Sequence, residues 1–119
     1  GNDPKKGYAR TWGYQATRQI LQHVPDIDAI MCGNDQIARG ALDSLREHSR
    51  RVPDDVAVLG HDNWETLVLA ARPPLSSIDA NNQALGTRAA ELLFFAMAGD
   101  PQPGLHKVNS HVVPRESTI

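Results

Sequence analysis

Between Thr11 and His23 the small and apolar residues Gly13, Ala16, Thr17, Ile20 and Leu21 recur at intervals of three and four, the period of a helix with one packed face. Pro25 closes that run. After a polar break, Ala29 to Cys32 form a short, unalternating apolar run between Asp28 and Gly33, the pattern of a parallel strand covered on both faces. Ile37, Ala38, Ala41, Leu42 and Leu45 then fall on one stripe. Asn34 or Asp35 stands where an N-cap belongs, and Arg51-Val-Pro-Asp-Asp marks the exit. The same order recurs downstream. Val56 to Leu59 predict a second buried strand ending at Gly60, and Trp64, Leu67, Val68 and Ala71 predict a short helix that Arg72-Pro-Pro ends. Leu75 to Asp79 read as a weaker third strand. Residues 81–99 read as an amphipathic helix with Leu85, Ala89, Leu92, Leu93 and Ala96 inward. Beyond a loop at 100–104, Val108, Ser110 and Val112 alternate with Asn109 and His111, as in an edge strand. Strands alternating with helices predict an α/β fold, a mainly parallel sheet flanked by helices.

In such sheets ligands bind beyond the carboxyl ends of the strands. Two polar clusters stand there: Gly33, Asn34 and Asp35 after the first apolar run, and Gly60, His61, Asp62 and Asn63 after the second. Neighbouring strands lie about 4.8 Å apart, so Asn34 and Asp62 can reach one small polar molecule. An amide supplies donors and an acceptor, and a carboxylate accepts several hydroxyl hydrogens, a combination suited to a polyol or sugar. The competing role for Asn34, Asp35, Asp62 and Asn63 is to cap the helices that follow. Tyr8 and Trp12, near the start of the first helix, either stack on a ring-shaped ligand or pack that helix against the sheet.

Composition narrows the class. The 119 residues are 40% hydrophobic and 22% charged, which fits one packed soluble domain. The lone Cys32 makes no internal bridge. A net charge of -2 lacks the broad basic field of a free-standing nucleic-acid binder, so this chain by itself is not expected to hold DNA. No apolar run approaches the roughly 20 residues that span a bilayer, and no membrane role is expected. There is no G-x-S-x-G elbow, no P-loop and no G-x-G-x-x-G. His61 and Asp62 are adjacent, and neighbours in sequence need not face each other. His106 and His111 are odd-spaced along the expected last strand and so point to opposite faces. No catalysis, cofactor or metal site is expected. Arg46, Arg50 and Arg51 suit the solvated end of a helix, where positive charge favours the dipole.

Five segments in register carry a family resemblance: CGNDQIARGALDSL, VPDDVAVLGHDN, RPPLSSID, ALGTRAAELL and VVPREST. Together they resemble the C-terminal part of the lactose-repressor/galactose-repressor (LacI/GalR) family of transcription regulators, from about Gly7 to Thr118. The resemblance implies a periplasmic-binding-protein-like (type I) two-lobed fold, of which residues 1–119 are the C-terminal portion of the effector-binding domain. The DNA-binding domain and first lobe would precede Gly1. It implies that Asn34 and Asp62 contact a small-molecule effector of sugar type and that Tyr8 packs on it. It further implies a cytoplasmic homodimer, joined through helices near 35–47 and 64–71, that meets operator DNA through the N-terminal domain. The helix from Leu85 to Met97 would cross into the first lobe. His61 stands where the family usually has Phe or Tyr, which puts an imidazole in place of apolar packing under the site. The alternative reading is a periplasmic solute-binding component of a sugar transporter. A third is a small α/β enzyme using His61 and Asp62.

Overall fold

Strands and helices alternate as the sequence pattern predicts in a computed structural model that describes residues 10–119; Tyr8 lies outside the described residues. The elements are α1 (Arg10–His23), β1 (Ala29–Met31), α2 (Asp35–Glu47), β2 (Ala57–His61), α3 (Glu65–Ala70), β3 (Ser76–Asp79), α4 (Asn82–Met97) and β4 (His111–Val113). The strands form one sheet in the order β1-β2-β3-β4. β1, β2 and β3 are parallel, and β4 pairs antiparallel with β3. Right-handed crossovers between successive neighbours put α2 and α3 on the same face. Ile30, Val58, Gly60 and Ser77 share register on the helix-covered face, while Met31, Leu59, Ile78 and Val112 lie on the other.

The core forms between the sheet and the helices from Leu21, Cys32, Ala38, Ala41, Leu42, Leu45, Val56, Val58, Val68, Ala71 and Leu75. α2 is embedded in it, consistent with its apolar stripe. α1 lies against α2 at backbone distance, because a Cβ at Gly13 would run into the Ile37 backbone and one at Gly40 into the Arg10 and Tyr14 backbone. At the rim of this contact Arg10 Nε donates to Asp43 Oδ2 at 2.6 Å, and the Tyr14 hydroxyl donates to Glu47. The C-terminal segment closes the far end of the sheet. Ser117 is fully buried; its carbonyl accepts from Val58 N–H at 2.9 Å. Its hydroxyl donates to Val58 O at 2.6 Å and accepts from Ser76 N–H at 2.7 Å.

Four expectations need correction. β1 is not covered on both faces. It is an edge strand, and with the helices on one side Ala29 and Met31 are left exposed. α4 has no buried residue. Its apolar side chains Leu85, Leu93, Phe94, Phe95 and Met97 surround the axis instead of forming one inward stripe, and all are exposed. A helix apolar on all sides is one that other structure normally encloses. The last strand is shorter and later than the alternation suggests, because only His111–Val113 pair with β3. Trp12 does not plug the core, since it lies about half exposed at the start of α1.

Candidate functional site

The carboxyl ends of β1, β2 and β3 meet at one rim because the three strands are parallel neighbours. Asn34 is the N-cap of α2: its extended backbone turns Oδ1 toward Ile37 N–H, which donates at 2.9 Å. The capping role therefore holds here, and the Asn34 amide nitrogen donates to no described residue. Asp62 caps nothing. Its N–H donates to Ile78 O at 2.9 Å, continuing the β2–β3 ladder past the end of β2. Its φ of 107° then turns the chain away. The side chain, 54% exposed, meets His61 Nδ1 at 3.0 Å through Oδ1. His61 and Asp62, whose adjacency in sequence left this open, do meet, and the positive φ of Asp62 turns the chain where they do.

Asp35, which competes with Asn34 for the cap role in the sequence, is 1% exposed and acts across the fold. Oδ1 accepts from the Ser77 hydroxyl at 2.6 Å and Oδ2 from Trp64 N–H at 2.7 Å. α3 has no side-chain cap of its own, so Asp35 satisfies a donor at its N-terminal end from a different helix. Gly60 leaves the room for this, since a Cβ there would overlap the carboxyl. Asn63, also at positive φ (54°), is consumed by the scaffold. Its N–H donates to Ser77 Oγ at 2.9 Å, its amide nitrogen to Asp79 Oδ2 at 3.0 Å, and its amide oxygen accepts from Arg115 Nη2 at 2.8 Å.

Asp79 accepts a second hydrogen bond, from Asn81 N–H to Oδ1 at 2.7 Å. The Asn63 amide, then the Asn81 N–H, and also the nearby His111 hold its carboxyl below the usual carboxylate range. Cys32, at the end of β1, is the opposite case. Burial, reinforced by the charge of Asp35, pushes its thiol up to about 11, which keeps it protonated and inert at neutral pH.

The rim therefore presents one solvent-facing carboxylate, an imidazole bonded to it and an amide with spare donors, over a scaffold of satisfied polar groups. The Ser77 hydroxyl donates to Asp35 and is not available to the His61–Asp62 pair as a nucleophile. Among the described residues no group of three or more His, Cys, Asp and Glu could hold a metal ion. The sequence reading placed Asn34 and Asp62 at this rim, and the fold puts them there just beyond the carboxyl ends of the adjacent strands β1 and β2. It missed Asp79 and Arg115, and it missed the true roles of Asp35 and Asn63. Gly60 was the available signal for Asp35, because a glycine ending a buried strand leaves space that something fills.

Residues 1–118 match the periplasmic binding protein-like domain family. The chain is 36% identical over 106 residues to the HTH-type transcriptional regulator CelR of Thermobifida fusca, covering 88% of this chain and 31% of that protein. A solved CelR–cellobiose complex superposes with a TM-score of 0.81 at 33% identity, over 92% of this chain and 34% of the other. A Lac repressor dimer bound to operator and an anti-inducer gives a TM-score of 0.85 at 29% identity, over 93% of this chain and 38% of the other. The chain belongs to the periplasmic binding protein-like domain family, in the form found in LacI/GalR-type transcriptional regulators. It spans about a third of the length of these relatives. They are named as regulators, not as enzymes, which favours the regulator over a transporter's binding component.

Proposed function

We propose that residues 1–119 are the C-terminal portion of the effector-binding domain of a cytoplasmic LacI/GalR-type transcriptional regulator, with a sugar as effector. Asn34 and Asp62 contact the sugar, and Tyr8 packs on its ring. The observation that carries this reading is the Asp62 carboxylate, held out to solvent at the strand rim by a loop whose other polar groups are already paired. Such a group is preorganised to accept hydroxyl hydrogens without rearrangement of its surroundings. The likeness to a regulator solved with cellobiose supports a saccharide. No bond is made or broken in this function. The effector favours one of two arrangements of the protein and shifts their populations, with couplings of about 1 to 3 kcal/mol typical of such systems. DNA is met by a separate N-terminal domain, and two copies pair to read paired half-sites.

Calorimetric titration of the full-length regulator with cellobiose and a panel of mono- and disaccharides tests the site. Asp62→Ala and Asn34→Ala are each expected to weaken binding by about 1 to 3 kcal/mol while operator affinity stays largely intact. Asn34→Ala also removes the α2 cap, so its thermal midpoint is to be measured alongside. Saccharide affinity unchanged in both variants removes these residues from the site.

A further inference from the structure

We propose that Asp79 is a positioning residue that ties the loop at 61–63 to the direction in which α4 leaves the sheet. Its functional consequence rests on the reading of Asp62 as an effector contact. The carboxyl has two oxygens, and each serves a different element. Oδ2 accepts from the side chain of Asn63, the residue directly after Asp62, and Oδ1 accepts from the backbone N–H of Asn81. Asn81 is the N-cap of α4 and lies in the left-handed region at φ 58°. The path from β3 into α4 therefore turns at this one residue, and the Asp79 bond fixes the turn.

Little else holds α4. It has no buried residue, and the molecule extends 60 Å along its longest axis against 34 and 23 Å along the others. Beyond the β3–β4 ladder, which ends at Asp79 and His111, the outgoing and returning segments meet through Asn81 Nδ2 and Asn109 O at 3.5 Å, the limit of a hydrogen bond. A helix of 16 residues is about 24 Å long, so a hinge rotation of about 10° moves its far end about 4 Å. Displacement of Asn63 at the rim pulls on the carboxyl that sets this hinge. Arg115 holds the other side of the Asn63 amide and bonds Leu75 O at 2.8 Å, so the loop moves against a fixed anchor. An effector seated on Asp62 acts one residue from the start of this connection.

The geometry suggests its own control. An amide offers one acceptor oxygen, so Asp79→Asn keeps either the Asn63 bond or the Asn81 bond and loses the other. Adding Asn63→Asp restores both and reverses only the 63–79 bond, because the new amide donates to the new carboxylate while its oxygen accepts from Asn81 N–H, and the carboxylate still accepts from Arg115. In the full chain, amide exchange at Asn81 and the distance between spin labels at Arg18→Cys and Ala90→Cys report the hinge without any ligand. Asp79→Asn is expected to raise Asn81 exchange by about tenfold or more and to broaden the label distance. Asn63→Gly, with Asp79 intact, is expected to broaden it as well. The exchanged pair is expected to return both readouts to within about twofold of the parent. Label distances unchanged in Asp79→Asn and Asn63→Gly, or an exchanged pair as loose as Asp79→Asn, would overturn the coupling. The saccharide reading is decided separately by calorimetry of Asp62→Ala, so either idea can fail without the other.

Discussion

The carboxyl of Asp35 shows how much a single buried side chain can organise. It accepts from the Ser77 hydroxyl and the Trp64 N–H, and it sits in space that Gly60 leaves open. Removing it leaves the buried Ser77 hydroxyl and the partly buried Trp64 N–H without their acceptor, and each unsatisfied buried donor costs about 1 to 3 kcal/mol. Asp35→Ala is therefore expected to lower the unfolding free energy by about 2 to 4 kcal/mol in urea titration. Asp35→Asn, which keeps one acceptor, should cost less. An alanine variant as stable as the parent would mean that water replaces the carboxyl, and the tie between α2 and α3 would be lost as an explanation. The position of Asn34 and Asp62 at the rim was legible in the sequence because each stands two or three residues after an apolar run. Asp35 was legible only as a cap candidate, since its partners lie 42 and 29 residues away. Asp79 was unreadable for the same reason: its meaning comes from Asn63, 16 residues earlier.

At the scale of elements, periodicity located the four helices of the described residues, and the order of the strands along the chain followed from the apolar runs and the final alternation. Periodicity could not report which strand lies at an edge, because that depends on the neighbours a strand finds. β1 carries the apolar run of a covered strand and is nonetheless half bare. The α1–α2 contact offers a sharper test of packing against local preference. Alanine at an exposed helical position is better than glycine by about 1 kcal/mol, so propensity alone predicts that Gly40→Ala stabilises α2. The backbone of Arg10 and Tyr14 occupies the place of that methyl group, and overpacking of this kind costs about 1 to 3 kcal/mol. Gly40→Ala is expected to be net destabilising in chemical denaturation, with α1 exchanging its amides faster. A more stable variant would show that the two helices are not held at backbone distance.

Across the whole molecule the apolar surface is divided unevenly. The helix-covered face of the sheet carries the buried Val58, Gly60 and Ser77, whereas Met31 (68% exposed) and Val112 (55%) mark exposed positions on the other face. Phe94 (67%) and Met97 (73%) mark α4. A third apolar area, Trp64 and Leu69 beside α3, lies on the side the resemblance gives to the dimer. The charge there is answered within the chain, since Arg39 donates to Leu67 O at 3.2 Å. These areas need not act alike. Full burial of a Leu or Phe side chain gains roughly 1.5 to 3 kcal/mol, and α4 presents Leu85, Leu93, Phe94, Phe95 and Met97 on a helix that the other described residues leave exposed. A net charge of -2 opposes association only weakly. The 119-residue chain is therefore expected to self-associate at micromolar concentration, giving a light-scattering mass above the 13.0 kDa of one copy. Leu93→Glu with Phe94→Glu should reduce that mass, while Leu69→Glu on α3 should reduce it less if α4 is the dominant surface. A chain that stays monomeric at these concentrations would show that α4 shields its own apolar side chains in solution.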